Sequence, residues 1–348
     1  MPTAPVSSAL GDLVRAGVPG AVALVRNNGK TVVLASGYSD RARHTRMRAS
    51  ARFRVGTVTN TFVAAVVLQL VAERRLSLDE PVVRIVPGLL PPSYASVTIH
   101  ELLQQTSGLY DYMADARWYG PYGAHRLAFR PAPRRLLALA VSHPPVAAPG
   151  VRYLPSATNY LALALVVESV TRHPLGFELA RRIFGPLGLR HTSFGASAGA
   201  GLAHGYTRTG AGLLDVSRLS PSADWPAGAL VSDAQDVAHF YRALLGGRLI
   251  RRDLLRKMKS IVWFERITYD GYGLGLQVTK SLWIAKHLRP LCRPAWGHTG
   301  YRPGYLTTAY SSLDGRRQFV ILVNEDDFSL PWQAPSAISD AARAAYCG

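Results

Sequence analysis

Apolar and polar positions recur with two different periods along this chain, and the switches between them mark out its elements. Phe62, Val63, Val66, Val67, Leu70 and Val71 repeat every three to four residues, the spacing of one helix face. They predict a long helix from Val58 to Arg75. An amphipathic run from Val6 to Ala16 predicts a first helix. Two short apolar runs, Ala21 to Val25 and Thr31 to Ala35, flank Asn27-Asn28-Gly29, a hairpin signal. Phe53-Arg54-Val55 reads as a short strand. Residues 80 to 225 read as helices and long loops, broken by prolines at 91–92, 131–133 and 144–149. Ser232 to Leu245 is a further helix, with Ser232 as its expected N-cap and Asp233 in its first turn. Strands follow at Tyr272 to Thr279, Tyr305 to Ser311 and Gln318 to Asn324, and a helix from Trp332 to Tyr346 closes the chain. The layout is α+β: one antiparallel β-sheet built from both ends of the chain, flanked by helices, with a large all-helical insertion. Residues 1–56 and 226–348 are expected to form the sheet sub-domain and 57–225 a mainly helical one, with a cleft between them.

Composition narrows the class. The 348 residues are 48% apolar and 18% charged, as in soluble globular proteins. No apolar run reaches the roughly 18 residues of a membrane span; the longest, Thr61 to Val71, meets Glu73-Arg74-Arg75. The stretch MPTAPVSSALGDLVRAGVPG lacks a charged start followed by an apolar core, which points to the cytoplasm unless a leader has been removed. The net charge of +18 is almost all arginine, since the lysines are only Lys30, Lys257, Lys259, Lys280 and Lys286. The arginines fall in dispersed pairs rather than one stripe, and no nucleic-acid motif accompanies them. They are read mostly as solvated surface, with an anionic small ligand as the sharper alternative. No nucleic-acid partner is expected. Cys292 and Cys347 sit in no metal or redox spacing and are read first as unrelated thiols, with a clip tying down the C-terminus as the alternative. No His/Cys/carboxylate spacing fits a metal site, no nucleotide loop is present, and no cofactor is expected.

Several short segments then fall in a telling order. Phe53-Arg54-Val55-Gly56 leads into Val58-Thr59 and Thr61-Phe62. Leu76-Ser77-Leu78-Asp79-Glu80-Pro81-Val82 follows, then Ile99-His100-Glu101-Leu102-Leu103 with Thr106-Ser107-Gly108-Leu109. Pro149-Gly150, Thr158-Asn159-Tyr160, Val167 to Thr171, Pro226 to Ser232, Gly271-Tyr272-Gly273-Leu274-Gly275 and Gly297-His298-Thr299-Gly300 with Pro303-Gly304-Tyr305 complete the series. In order and through most of the chain, these resemble the serine β-lactamase and penicillin-binding-protein family: class C β-lactamases, DD-peptidases and family VIII esterases.

That resemblance implies a catalytic layout with three parts. The first is S-x-x-K at a helix start, where the serine attacks a carbonyl and the lysine, one turn later on the same face, takes its proton. Here the segment reads Thr57-Val58-Thr59-Asn60. An amide has no useful pKa near neutrality and is no base. The second is Y-x-N, which aligns with Pro155-Ser156-Ala157 and has lost both functional groups unless Tyr153 or Ser156 reaches in. The third, H-T-G on a cleft strand, is intact as His298-Thr299-Gly300.

Fold does not dictate function, so each remaining group has to be weighed. His298 is the best titrating candidate, because imidazole can act as acid or base near neutral pH. Tyr110 and Asp111, on a loop that lines the cleft in the family, are its expected catalytic partners. Thr57, Asn60, Tyr112, Tyr153, Ser156, Trp225, Thr299, Gly300, Tyr301, Arg302 and Tyr305 are candidate ligand contacts, with Arg302 as a carboxylate holder. Against each stands a structural role: helix-start hydroxyl, satisfied amide, strand histidine, surface aromatic, solvated arginine. Three functions follow. One is a repurposed enzyme acting on a small molecule by non-covalent acid–base chemistry, for example in secondary metabolism. The second is a non-catalytic protein binding a ligand or partner. The third is a residual ester or amide hydrolase working through Thr57 or another hydroxyl.

Overall fold

The computed structural model describes residues 3–123, 129–195, 201–226, 228–263, 271–284, 287–326, 339–340, 342–344 and 346–347. The first helix, α1 (Thr3–Arg15), leads into β1 (Gly20–Asn27) and β2 (Lys30–Asp40). Asn28 and Gly29 turn between them with φ of 48° and 88°, the left-handed pair that a two-residue hairpin requires. Then come β3 (Thr45–Arg46), β4 (Phe53–Arg54) and the helix α2 (Thr59–Ala72). Beyond a run of further helices lie β5 (Ser193–Phe194), the hairpin β6 (Tyr206–Thr209) and β7 (Gly212–Asp215), and β8 (Leu230–Ser232). After the helices Ala234–Leu245 and Arg252–Met258 come β9 (Val262–Trp263), β10 (Gly271–Tyr272), β11 (Gln277–Ile284), β12 (His287–Arg302), β13 (Tyr305–Ser311) and β14 (Arg317–Val323). The main sheet runs β3-β2-β1-β14-β13-β12-β11-β10-β9. It is antiparallel throughout and joins the two ends of the chain where β1 pairs with β14, Ala21 opposite Val323.

Strand alternation divides the apolar residues between the two faces of this sheet. Val22 and Leu24 of β1, with Val320 and Leu322 of β14, enter the large core shared with α2 and the helices Ala157–Thr171 and Ala234–Leu245. Ala21, Ala23 and Val25, with Phe319, Ile321 and Val323, face the other way. They are covered by Leu10 and Leu13 of α1 and by Ala342 and Tyr346 near the C-terminus. The helix α2 is buried on nearly every side, Phe62 to Leu68 without a break; such all-round burial marks a core helix. That is how an apolar run from Thr61 can be a core helix instead of a membrane span. Among the described residues no helix is long and apolar enough to cross a membrane.

Four expectations change here. The strand at 53–54 leaves the main sheet and pairs with β8 in a small sheet, β4-β8-β5. The helix Ala234–Leu245 is capped by Asp233, which accepts from the Asp236 amide at 2.8 Å, while Ser232 ends β8 and hydrogen-bonds Thr192; a carboxylate one residue on out-competes the hydroxyl because it also faces the helix dipole. The cysteines are not separate thiols: Cys292 and Cys347 are bridged by a disulfide. The expected strand from Tyr272 to Thr279 is broken between β10 and β11, where Gly275 takes a φ of 76°. Of the expected closing helix, residues 332–338, 341 and 345 lie outside the described residues, and the described ones from 339 to 347 are helical.

Candidate functional site

The site is built where the start of α2 meets the C-terminal end of β12. Gly56 opens a single 3₁₀ turn, Gly56–Val58, with a φ of 56°. It lies against the backbone of Tyr301, and a Cβ there would sit 2.5 Å from the Tyr301 carbonyl oxygen. Gly300 makes the reciprocal contact, since its Cβ would lie 2.0 Å from the Val55 carbonyl. Two glycines thus let the helix start dock directly onto the cleft strand.

That docking places Thr57 on Thr299. The Thr57 hydroxyl donates to the Thr299 carbonyl at 3.1 Å. The expected alternative for this hydroxyl, satisfying helix-start amides, is not what forms: no side chain caps the first turn of α2. The Thr299 carbonyl also accepts from His298 Nδ1. On its other side, the Thr299 amide and hydroxyl both donate to Gln277 Oε1, at 2.7 and 3.2 Å, and Tyr310 donates to the same oxygen at 2.9 Å.

His298 is buried, and its ring is tied at both ends. With Nδ1–H on a carbonyl, Nε2 is the acceptor, and the Tyr272 hydroxyl lies 3.1 Å from it. Tyr272 in turn sits 3.4 Å from the Tyr160 hydroxyl, which donates to the Leu103 carbonyl at 2.9 Å. Burial removes the imidazolium from water and pulls the pKa of His298 down to about 4, so the ring is neutral at pH 7. The Tyr160 phenol, fully enclosed, is pushed far above its ordinary value. Tyr153 covers this chain, its ring 5.3 Å from that of Tyr272.

Asn60 stands one turn after Thr57. It is 4% exposed, and its Oδ1 has no hydrogen-bond partner among the described residues. Its backbone carbonyl and the Tyr160 hydroxyl crowd Gly275, where a Cβ would lie 2.8 Å from that hydroxyl. An orphaned buried acceptor costs about 1–3 kcal/mol.

The other expected contacts divide. Ser156 caps the helix Ala157–Thr171, accepting from Thr158 N at 3.2 Å, and its own amide donates to Gln105 Oε1 at 2.9 Å. Asp111 is also a cap: its Oδ1 accepts from the Met113 and Ala157 amides at 3.1 and 3.3 Å. Partial burial raises its carboxyl to about 6. Tyr110 stacks on His143 with ring centroids 3.8 Å apart, and His143 Nε2 meets Asp115 at 2.7 Å. Neither Tyr110 nor Asp111 is a hydrogen-bond partner of His298, so the expected catalytic trio does not assemble.

Three expected contacts hold up the fold. Tyr112 is fully buried, packed edge-on to Trp118. Arg302 is 1% exposed, and its guanidinium is spent on the Gly228, Leu219 and Ser220 carbonyls and on Asp224 at 3.3 Å. A guanidinium so enclosed cannot hold a substrate carboxylate. Tyr305 is buried with its hydroxyl on the Ala203 carbonyl at 2.8 Å. Trp225 is half-buried against Phe194, and Tyr301 keeps its ring exposed beside the docked turn. The structure therefore gathers Thr57, Asn60, Tyr153, His298, Thr299 and Gly300. It adds Tyr272, Tyr160 and Gln277, which sequence reasoning missed. Tyr272 lies inside the Gly-Tyr-Gly-Leu-Gly segment, which was the available signal; Gln277 shares its strand with Thr279, Lys280 and Ser281 and carried none.

Solved structures superpose on nearly the whole of this fold. A D-stereospecific amidohydrolase from Streptomyces sp. superposes with a TM-score of 0.84 at 32% identity, covering 97% of this chain and 98% of that one. A D-amino acid amidase from Ochrobactrum anthropi SV3, solved with D-phenylalanine, superposes with a TM-score of 0.83 at 23% identity, covering 97% of this chain and 98% of that one; it shares the fold. Esterase EstB of Burkholderia gladioli is 36% identical over 188 residues, 50% of this chain and 47% of the esterase, so that match spans about half the relative's length. The beta-lactamase family model matches residues 6–337, and this chain belongs to the beta-lactamase family.

Proposed function

We propose that this protein binds a small amide- or peptide-like ligand in the cleft between α2 and β12 without forming an acyl-enzyme. The observation that carries this reading is the pair Thr57 and Asn60. The hydroxyl at the nucleophile position already donates to the Thr299 carbonyl at 3.1 Å, and the group one turn on is a buried amide with an orphaned oxygen. Attack on a carbonyl needs a base to take the hydroxyl proton. Asn60 is not one. His298 has its lone pair turned to Tyr272 and its proton on Thr299. What remains is recognition: Asn60 Oδ1 to accept an N–H, Tyr153 as an aromatic wall, and the exposed edge of Tyr301 at the mouth. The D-stereospecific amidohydrolase neighbour makes a D-aminoacyl amide the first ligand to try. The acid–base reading centred on His298, Tyr110 and Asp111 is the weaker one, because those groups are engaged elsewhere.

The test is turnover against binding. Intact-protein mass after exposure to a β-lactam and to a fluorophosphonate is expected to show no adduct. D-phenylalanine amide is expected to raise the melting temperature saturably without being cleaved. The double variant Thr57→Ser/Asn60→Lys, which restores a nucleophile and base, is expected to gain ester or amide hydrolysis by ~10²-fold or more. A stoichiometric adduct on the parent chain that disappears in Thr57→Ala would overturn the reading and establish a threonine hydrolase. The Cys292–Cys347 bridge also favours work in an oxidising compartment over the cytoplasm; free-thiol titration of protein isolated from its native cells decides that point.

A further inference from the structure

At the β3-β2 edge of the main sheet lies a cavity whose lining is cationic. Between Asp40 and Arg52 the chain reads Arg41, Arg43, His44, Arg46 and Arg48, all on the exposed edge around β3. The cavity is about 360 Å³ and takes in Arg43, Arg46, Arg48, Ser50 and His204, with Asp40 as the one carboxylate among its lining residues. Asp40 is 7% exposed and already faces Arg43 and His204, each at 3.7 Å. Arg46 and Arg48 make no ion pair among the described residues. Three guanidinium groups therefore border one cavity against a single, shared carboxylate.

The edge is also held in shape. Arg46 lies opposite Tyr38 in the strand pairing, with its guanidinium 4.9 Å from the ring centroid. Met47, between the two arginines, is buried, and its amide donates to the Gly37 carbonyl at 2.9 Å. The two side chains are thus presented from fixed backbone. In the sheet order, four strand spacings separate β2 from β12, or about 19 Å. The cavity belongs to neither the Thr57 site nor its walls.

We infer that this cavity is an anion site for a phosphate-bearing ligand. Guanidinium forks match the oxygens of phosphate in bidentate fashion. The volume exceeds what a single inorganic ion fills and suits a diphosphate or a phosphate carried on a small body. That chemistry has two sources, a free phosphorylated molecule or a lipid headgroup.

Isothermal titration of the full chain with pyrophosphate, and co-sedimentation with phosphatidylcholine vesicles with and without phosphatidic acid, separate them. Saturable binding of pyrophosphate is expected, weakened by added salt. The variant Arg46→Gln/Arg48→Gln is expected to bind at least about tenfold more weakly with the fold retained, since both side chains are exposed and only the Arg46 contact with the Tyr38 ring is lost. The control Arg251→Gln/Arg252→Gln, on an exposed helix start elsewhere, is expected to bind like the parent. Pelleting only with phosphatidic acid vesicles, lost in the first variant, would assign the site to a headgroup. Binding to neither probe, or equal binding by both variants, overturns the inference.

Discussion

The two walls of the cleft are held by different kinds of contact. On the β12 wall, His298-Thr299-Gly300 keeps the family's pattern, and its contacts are backbone-dominated: Gly300 against Val55, and the Thr299 carbonyl taking both Thr57 and His298. On the helical wall the contacts run between side chains, and the resemblance to the family aligns Asn60 with its lysine and Pro155 and Ala157 with its tyrosine and asparagine. The Ser107–Asn159–Gln105 network still ties that wall together, and Ser156 still caps its helix. A close glycine contact is a steric requirement that nearly any side chain violates. A general base is a chemical requirement, and its loss leaves the fold intact. On the function proposed above, that asymmetry lets the frame outlast the chemistry.

The comparison breaks first at Gly300. A side chain there would meet the Val55 carbonyl at 2.0 Å, so Gly300→Val must push α2 off the cleft strand. We expect destabilisation of at least about 3 kcal/mol, read as a lowered urea midpoint, together with loss of ligand binding. Near-parental stability would mean that the two walls are not rigidly docked. Next in size is His298. Its pKa falls from 6.5 to about 4 on folding, so the unfolded chain takes up a proton that the folded one refuses. Its effect is absent above about pH 6.5. As pH drops toward 4 it removes about 3 kcal/mol of stability. Urea unfolding at pH 7 and pH 4.5, parent against His298→Gln, checks this: the variant is expected to lose less stability between the two values.

The sequence made some of this legible and hid the rest for physical reasons. Hydrophobic period and glycine-marked turns predicted α2, the β1–β2 hairpin, β13 and β14, because those elements are specified by local burial. The segments resembling the family placed Thr57, Asn60 and Thr299 around one cleft. What stayed hidden depends on where side chains end up in three dimensions. Arg302 and Tyr305 flank the cleft strand in sequence, yet both are buried behind it on carbonyls from residues 203 to 228. Asp111, expected beside His298 from its place after the Thr-Ser-Gly-Leu segment, is a cap. Tyr272 and Tyr160 lie 112 residues apart, and no local pattern links them to His298.

Asp111 sharpens the contrast, because its pH dependence has the opposite sign to that of His298. Its carboxyl rises from 3.8 to about 6 on folding, so its favourable contribution is full below about pH 3.8 and is lost as pH climbs through 6. Asp111→Asn keeps an oxygen for the Met113 and Ala157 amides but removes the disfavoured charge. The variant is expected to be more stable at pH 7.5 by up to about 2 kcal/mol, allowing for partial solvent contact, and equal to the parent near pH 3.5. A loss of stability at pH 7.5 would mean that the ionised carboxylate is held by groups beyond those two amides.

The smallest effect asks whether the Pro155-Ser156-Ala157 segment touches the ligand. Ser156 stands at its centre and is the one hydroxyl that survives there, yet its oxygen accepts from Thr158 N and its amide is bound by Gln105. If it serves only as the cap of the helix Ala157–Thr171, then Ser156→Ala removes about 1 kcal/mol of stability and leaves the affinity for D-phenylalanine amide unchanged. A weakened affinity with unchanged stability would instead give Ser156 a place against the ligand. The helical wall would then have kept one functional group from its second motif, and the two walls would differ less than their residues indicate. Melting temperature and binding isotherm on the same variant distinguish these outcomes, because a lost cap lowers the first and a lost ligand contact lowers only the second.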